Sequence, residues 1–335
     1  MDAAPNPEHI RSLMAGFQKA AALRAAIELH VFSAIGEGAG TAEAIAVRCQ
    51  ASRRGIRILC DYLTVQELLH KEEQTYRLTR ESATFLDERS PRYMGGMLQF
   101  LNAPRFLEAT GNLTEIVRRG TTTLGKGVAG DEAEEWVTFA RHMQPIAVGP
   151  SQFIAHLVTA QREPRRVLDI AAGHGLYGIA VALRAPGALI VGQDWPKVLA
   201  VAEGNARAAG VAGRYQLLPG SAFEVELGTG FDLILLTNFL HHFDEATGIR
   251  FLRKVRAALG EGGHLVTLEF MPNEDRVSPP AAAAFSLTML LQTPGGDAYT
   301  ERELRQMLDS AGFTSHEVVA VPESPETVIV SRVTW

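Results

Sequence analysis

The first part of the chain has the hydrophobic spacing of helices. Apolar residues share one helical face at Ile10, Leu13, Met14 and Phe17, and the pattern continues at Ala20, Ala21 and Ile27. Thr41 and Ser52 are typical helix N-caps, and they precede two short helical segments, 42–49 and 53–63. Residues 1 to about 90 are therefore predicted to be mostly helical.

A polar turn then separates two short segments with the pattern of strands. Segments 68–71 and 75–78 flank the sequence Glu72-Glu73-Gln74, which is typical of a hairpin. Short helices followed by such a hairpin predict a winged-helix arrangement. From about residue 92 to 160 the pattern is helical again, with a break in the Gly- and Thr-rich stretch 120–130.

From Arg165 onward the pattern changes to strands that alternate with helices. The strand candidates are 167–171, 189–193, 215–218, 232–237, 264–270, 316–321 and 327–330, and the helices between them include 196–209, 245–259 and 301–311. Strand 232–237 is almost entirely apolar, as expected when helices cover both faces of a parallel sheet. The link 322–326 is too short for a crossover helix, so the last two strands are predicted to pair antiparallel.

These patterns predict an α/β fold with a mostly parallel, seven-stranded Rossmann-like sheet that follows a mostly helical winged-helix domain. A length of 335 residues suits more than one domain. The net charge of −6 argues against a nucleic-acid or anionic-membrane partner. We interpret Cys49 and Cys60 as buried thiols of a cytoplasmic protein, because their spacing fits neither a zinc site nor a disulfide framework. No signal-peptide pattern and no apolar run long enough to cross a membrane is visible.

Two acidic residues mark the ends of neighbouring strands in the sheet domain. Asp169 precedes the small-residue loop Ala171–Gly175, and the next strand ends at Asp194. Ligands of such βαβ units lie at the carboxyl ends of the strands. A carboxylate there would repel a pyrophosphate, but it suits S-adenosylmethionine (SAM), which has an ammonium, a sulfonium and a ribose diol and no phosphate. The two acids therefore favour a methyl-donor site. The competing interpretation is a nicotinamide or flavin site, because residues 173–178 match the GxGxxG fingerprint.

The chain resembles the plant-type small-molecule O-methyltransferases and their bacterial relatives, which are class I SAM-dependent methyltransferases with a winged-helix dimerisation domain. The resemblance covers most of the chain and is most specific at 168–175, 193–196, 220–223, 240–245 and 289–300. It implies a homodimer formed through a dimerisation domain at 1–92, connecting helices at 93–164 that contribute to the substrate site, and a SAM-binding domain at 165–335.

The resemblance also implies which residues bind the cofactor. Asp194 is expected to bind the ribose hydroxyls, and segment 220–223 is expected to flank the adenine. The residues expected to contact SAM, or its product S-adenosylhomocysteine, are Asp169, Ala171, Gly173, Gly175, Asp194, Trp195, Ser221, Ala222, Phe223 and Thr237. No metal site is predicted.

His241 and Glu269 are the predicted catalytic residues. A hydroxyl is a poor nucleophile while it is protonated, so a base of near-neutral pKa accelerates its methylation. His241 follows strand 232–237 at the carboxyl edge of the sheet. Glu269 ends the next strand, where it is positioned to orient the imidazole as a triad carboxylate does. The predicted function is methyl transfer from SAM to a hydroxyl of a small, aromatic molecule.

Four positions depart from the usual family pattern. The second glutamate that often follows the Pro-Gly-Gly turn is Ala298 here, so the histidine–glutamate pair depends on Glu269 alone. Ser221 and Ala222 stand where the family often has aspartate and methionine, and Thr237 stands where it has lysine.

Several alternatives remain open at this point. A C- or N-methyltransferase would need positioning but no base, and a SAM-binding relative without transfer activity has the same motifs. A DNA-binding regulator would use Arg53, Arg54 and Arg57 of the winged helix. Asp169 could simply cap a loop, and Asp194 could be a helix N-cap. Candidates for the substrate wall, with no prediction for any single residue, are Phe139, His142, Met143, Phe285, Met289 and Leu290.

Overall fold

Helices form most of the first of the two units into which the chain divides, Met1–Leu98 and Gln99–Trp335. The computed structural model describes residues 6–125, 134–160 and 162–334. The elements of the first unit are α1 Glu8–Met14, α2 Gly16–Glu28, α3 Val31–Gly36, α4 Ala42–Arg48, α5 Arg53–Val65, β1 Leu69–Glu72, β2 Thr75–Leu78 and α6 Arg80–Phe85. The domain limits predicted at residues 92 and 164 stay predictions.

The winged-helix pattern predicted for the first unit is present. The Thr41 and Ser52 side chains accept hydrogen bonds from the backbone N–H groups of Ala44 and Gly55, so both predicted N-caps are confirmed. Strands β1 and β2 pair antiparallel as the wing. The core consists of apolar side chains from the helices and the wing, among them Phe32, Ile45, Ile56, Leu63 and Tyr76.

Two of the three arginines that a DNA-binding helix would use form ion pairs. In α5, Arg53 lies 3.3 Å from the Glu43 carboxylate and Arg57 lies 3.0 Å from Asp61. These contacts reduce the positive field that phosphate binding requires.

The second unit contains the predicted sheet and its helices. Its helices are α7 Met97–Leu101, which begins at the limit between the units, α8 Pro104–Gly111, α9 Leu113–Arg119, α10 Glu134–His142, α11 Gln144–Thr159, α12 Leu176–Arg184, α13 Pro196–Ala208, α14 Glu245–Ala258, α15 Pro280–Gln292 and α16 Glu301–Ser310. Its strands are β3 Arg166–Ile170, β4 Leu189–Asp194, β5 Tyr215–Pro219, β6 Phe231–Thr237, β7 Leu259–Phe270, β8 Ser315–Ala320 and β9 Glu326–Arg332. Part of the predicted break at 120–130 lies outside the described residues.

The sheet has the strand order β5-β4-β3-β6-β7-β9-β8. Strands β3 to β7 are parallel, and β9 pairs antiparallel with both β7 and β8. The predicted seven-stranded, mostly parallel sheet with a final antiparallel hairpin is therefore confirmed.

Helices bury both faces of the sheet, which explains its apolar strands. In β6, Ile234 and Leu236 belong to one core cluster and Leu233 and Leu235 to the other, and all four are fully buried. Because successive strand residues point to opposite faces, β6 has apolar side chains at each of these four consecutive positions. No described helix is both long enough and apolar enough to span a membrane.

Candidate functional site

A cavity of about 230 Å³ lies at the carboxyl edge of the parallel strands. The loops after β3, β4, β5 and β6 form its floor, and helices α10, α11 and α15 contribute side chains to its walls. Asp194 and Ser221 lie in the wall where β4 and β5 end, whereas His241, Phe270 and Phe285 lie towards β6 and β7. The sheet topology thus brings together residues that are far apart in the sequence.

The loop after β3 approaches Asp194 through backbone groups. Gly173 has a left-handed conformation with φ of 57°, which favours glycine, and its N–H donates to Asp194 Oδ2 over 2.8 Å. Asp194 Oδ1 accepts from the Trp195 N–H over 2.7 Å. Trp195, not Asp194, is the N-cap of α13, and no side chain caps this helix. The N-cap alternative for Asp194 is therefore wrong.

Asp194 keeps its carboxylate in the cavity wall. Burial raises its pKa to about 6, although the two backbone N–H donors favour the charged form. At neutral pH the group is therefore mainly an anion that can accept hydrogen bonds from a pair of hydroxyl groups.

Asp169 is not among the residues that line the cavity, and its predicted role at the cofactor site stays a prediction. It is fully buried, and its Oδ2 accepts from the Gly178 N–H at the start of α12 over 2.9 Å. Burial raises the pKa of Asp169 to about 7. The electrostatic preference for a phosphate-free ligand therefore depends on Asp194, and the loop-capping alternative fits Asp169.

Gly175 is also absent from the cavity wall, and its predicted cofactor contact stays a prediction. Its φ is 75°, and a Cβ atom there would lie 2.9 Å from both the Ala202 Cβ and the Tyr215 hydroxyl oxygen. The glycine permits close packing of the loop against α13 and β5. The other predicted cofactor residues line the cavity: Ala171, Gly173, Asp194, Trp195, Ser221, Ala222, Phe223 and Thr237.

His174, in the loop after β3, also lines the cavity. Its Nδ1 accepts from the Leu176 N–H, and burial lowers its pKa to about 4. The neutral imidazole must then hold its proton on Nε2. This makes His174 a potential hydrogen-bond donor in the loop.

The segment after β5 is held by a lysine that the sequence gave no reason to select. Lys254, on α14, donates from Nζ to the carbonyl oxygens of Ala222, Phe223 and Val225 over 3.0, 2.8 and 2.7 Å. An ammonium has three protons to donate, so these contacts use all of them. Lys254 therefore fixes the backbone of the predicted adenine segment.

His241 and Glu269 form a buried pair at the other end of the cavity. His241 is 4% exposed and Glu269 is 3% exposed. The distance from His241 Nδ1 to Glu269 Oε2 is 2.5 Å, and Glu269 Oε1 accepts from the Phe239 and Leu240 N–H groups. The carboxylate is therefore fixed by the backbone, and it orients the imidazole by its Nδ1 side. His241 lines the cavity, whereas Glu269 lies behind it.

Aromatic rings lie next to the two histidines, His241 and His242. The Phe285 ring meets the His241 imidazole edge-on with centroids 4.9 Å apart, and it stacks on Phe270 at 4.0 Å. The Trp136 ring contacts His242 edge-on at 5.5 Å. Burial and the neighbouring His241 lower the pKa of His242 well below its usual value, so His242 is neutral.

The substrate-wall candidates divide into two groups. Phe139, Met143, Phe285 and Met289 line the cavity, whereas His142 and Leu290 do not. Four further residues that were not predicted from the sequence also line the cavity: Phe100, Trp136, Asn238 and Glu326. No periodic pattern could have separated these side chains from ordinary core residues. Among the described residues, no cluster of histidine, cysteine, aspartate or glutamate could hold a metal ion.

Comparison with known proteins gives matches in both units. Residues 127–314 match the family model of the O-methyltransferase domain, and residues 12–88 match that of the O-methyltransferase dimerisation domain. The chain is 30% identical to 3-hydroxy-5-methyl-1-naphthoate 3-O-methyltransferase of Streptomyces sahachiroi, over 93% of this chain and 91% of that protein.

Two solved structures have the same fold over nearly their whole length. One is a provisionally assigned O-methyltransferase from Nostoc punctiforme PCC 73102, with 46% identity, a TM-score of 0.94 and coverage of 98% of this chain and 99% of that chain. The other is PigF with S-adenosylhomocysteine, with 25% identity, a TM-score of 0.87 and coverage of 98% and 100%.

Proposed function

This chain belongs to the O-methyltransferase family, and we propose that His241 acts as the general base while an aromatic hydroxyl is methylated. The protein is a SAM-dependent O-methyltransferase of small molecules. The observation on which the proposal depends is the buried His241–Glu269 pair, whose imidazole lines the cavity.

The residues at the β4 and β5 end of the cavity fit the adenosine part of SAM. The Asp194 carboxylate, with a pKa of about 6, can accept hydrogen bonds from both ribose hydroxyls. The segment fixed by Lys254 presents Ser221, Ala222 and Phe223 to the cavity, where they would flank the adenine. We propose these residues as the cofactor site. When bound, SAM supplies an electrophilic methyl group on a sulfonium.

Proton transfer at His241 follows from the hydrogen bonds of Glu269. Because Glu269 Oε2 engages Nδ1, the neutral imidazole has its proton on Nδ1, and Nε2 has a free lone pair. Nε2 accepts the hydroxyl proton as the oxygen attacks the methyl group. The Glu269 carboxylate then stabilises the imidazolium, while the Phe239 and Leu240 N–H groups bind its other oxygen and hold it in place.

The rings around His241 support an aromatic acceptor. Phe270, Phe285 and Trp136 offer flat apolar surfaces near the base. A planar phenol can pack against such a ring with its hydroxyl beside Nε2, and this positioning would raise the rate of transfer.

We also propose that the protein forms a homodimer through its first unit. The support is the dimerisation-domain match and the exposed apolar side chains of α1 and α2. A cytoplasmic location stays a prediction.

The test of the proposed base is the variant His241→Ala. With 1-naphthol, or the best acceptor from a panel of phenols, kcat should fall by about 10²–10⁴-fold, because the attacking hydroxyl loses its base. The affinity for S-adenosylhomocysteine, measured by calorimetry, should stay unchanged because His241 lies at the other end of the cavity from Asp194.

His156→Ala is the matched control for this test. His156 is an exposed histidine of α11 that does not line the cavity, so its removal should leave both turnover and affinity unchanged. Normal turnover in His241→Ala would show that the proposed base is wrong.

A further inference from the structure

Besides Glu269, a second carboxyl group, that of Glu326, lies near His241. The proposed proton transfer does not use it. Glu326 begins β9 and pairs in register with Phe270, the last residue of β7. Its side chain is 9% exposed, and it lines the cavity. The antiparallel return of β9 explains this position, because the first residue of β9 meets the carboxyl end of β7.

The hydrogen bonds of Glu326 leave room for another partner. Oε1 accepts from Asn238 Nδ2 over 2.7 Å, and Oε2 accepts from the Ser324 hydroxyl over 2.9 Å. A carboxylate offers about four lone-pair sites, so each oxygen can accept a further donor. Burial raises the pKa of Glu326, while the bonds from Asn238 and Ser324 favour the charged form.

Asn238 adds an acceptor atom that has no partner. It follows β6 directly with φ of 53°, and its side chain also lines the cavity. Its Oδ1 is buried and makes no hydrogen bond to any described residue, although the Asn238 side chain also interacts with the neighbouring Tyr177 hydroxyl. Buried polar atoms are nearly always paired, so such an acceptor points to a donor on a ligand.

The cavity wall itself contains no cation to satisfy these acceptors. The described residues that line it include no lysine and no arginine. The catalytic pair has opposing effects on Glu326: Glu269 disfavours its charged form, and His241 favours it. A hydrogen-bond donor from outside the chain is therefore the missing complement.

We propose that Glu326 and Asn238 form a subsite for a hydrogen-bond donor group of a ligand, an ammonium, an amine or a hydroxyl, near the methyl-transfer position. Two ligands can supply such a group: the methionine ammonium of SAM, and a donor substituent on the aromatic acceptor. This inference depends on the proposed function for the identity of these ligands, but it does not require His241 to act as the base.

The variant Glu326→Gln tests the first source. Glutamine keeps the size of the side chain and can still bond to Asn238 and Ser324, but it removes the charge. Calorimetry compares S-adenosylhomocysteine with 5′-methylthioadenosine, which lacks the amino acid part. If the subsite binds the cofactor ammonium, the variant lowers the affinity for S-adenosylhomocysteine by about tenfold or more. Its affinity for 5′-methylthioadenosine stays unchanged.

The second source is tested with two matched acceptors. Calorimetry on the complex with S-adenosylhomocysteine compares 1-naphthol with 5-amino-1-naphthol. If the subsite binds an acceptor substituent, the wild-type protein prefers the amino compound by about tenfold, and Glu326→Gln loses this preference. The proposal is wrong if the variant equals the wild type both in affinity for S-adenosylhomocysteine and in the ratio of the two naphthol affinities.

Two further variants make the result specific. Glu317→Gln, an exposed glutamate of β8 in the same hairpin, should match the wild type in every titration. If Glu326→Gln does not fold, Ser324→Ala serves instead, because it removes one of the bonds that orient the carboxyl. Ser324→Ala should lower the affinity for the same ligand as Glu326→Gln does, but by a smaller factor. All these measurements concern binding. They can therefore be interpreted even if normal turnover in His241→Ala shows that the proposed base is wrong.

Discussion

The tautomer of one histidine decides whether the proposed chemistry can occur. Glu269 accepts from His241 through one oxygen and from two backbone N–H groups through the other. This arrangement keeps the proton of the neutral imidazole on Nδ1 and leaves Nε2 available as a base. Glu269 thus acts as a positioning residue through His241.

The variant Glu269→Gln should separate this role from general support of the fold. The glutamine oxygen can still accept from the Phe239 and Leu240 N–H groups, but its amide would face Nδ1 and favour the tautomer with the proton on Nε2. We expect kcat to fall by about 10²-fold or more, with little change in the KM for SAM. Normal kcat in a folded variant would contradict the orienting role.

Asp194 should make cofactor affinity depend on pH. Its pKa in the free protein is about 6, and only the charged form accepts hydrogen bonds at full strength from the ribose hydroxyls. Affinity for S-adenosylhomocysteine should therefore be constant above this pKa and decrease as the pH falls through about 6. Calorimetry between about pH 5 and 8 measures this. Asp194→Asn should bind more weakly and lose the dependence.

The exposed Asp309 of α16 provides the control for this titration. Asp309→Asn should keep both the affinity and its pH dependence. An identical pH profile in Asp194→Asn would mean that another group is responsible.

Single residues were easiest to place from the sequence where they lie near the carboxyl end of a strand or in the loop after it. Asp194, His241 and Glu269 have such positions, so the topology alone brings them to one edge. Asp169 also lies near the end of a strand, but it shares a strand face with Val167, which packs towards α12, and so it is absent from the cavity wall. Glu326 was not predicted, because its partner Asn238 is 88 positions away in the sequence. The contact follows from the register between β7 and β9, which the sequence does not show.

At the scale of elements, α14 stabilises the cofactor site without contributing to the cavity wall. The Lys254 ammonium binds the three carbonyl oxygens of the segment that follows β5. Burial lowers the pKa of Lys254, which fits an ammonium held among backbone groups rather than in water. The position of the adenine segment therefore depends on a neighbouring helix.

The variant Lys254→Met should loosen this segment. We expect the KM for SAM to rise by about tenfold, because several charge-assisted hydrogen bonds are lost, while kcat changes little. Steady-state kinetics with varied SAM measures both constants. Arg250→Met, a change at an exposed position of the same helix, should leave them as in the wild type. A fall in kcat alone would contradict the assignment.

The strands were predictable because apolar runs and short links leave few choices for a doubly covered sheet. The largest boundary error is the start of β7, which was predicted at 264 instead of Leu259. The early part contains Gly260, Glu261, Gly262 and Gly263, and its pairing with β6 shifts register between Phe231 and Leu233. Glycine-rich segments of this kind do not show the alternation by which strands are recognised.

At the scale of the whole molecule, the first helices leave apolar side chains in water. Leu13 is 67% exposed, and Met14 and Phe17 are each 72% exposed. Exposed apolar side chains that lie together usually mark an interface, and these residues fall within or beside the match to the dimerisation domain at 12–88.

The double variant Leu13→Glu/Phe17→Glu should therefore dissociate the proposed homodimer. Sedimentation should give the 36.3 kDa monomer mass for the variant and twice that mass for the wild type. Val277→Glu, at a residue 71% exposed in the second unit, should remain dimeric. A wild-type protein that sediments as a monomer would contradict the proposal.

The most direct test of the account compares methyl transfer to 1-naphthol and to 1-naphthylamine by the wild-type protein and His241→Ala. A neutral amine can attack without a base, whereas a hydroxyl is assisted by one. The account predicts that the wild type methylates the naphthol oxygen and that the variant loses this activity by about 10²–10⁴-fold. Equal rates of naphthol methylation by both proteins, or transfer to the amine alone, would contradict it.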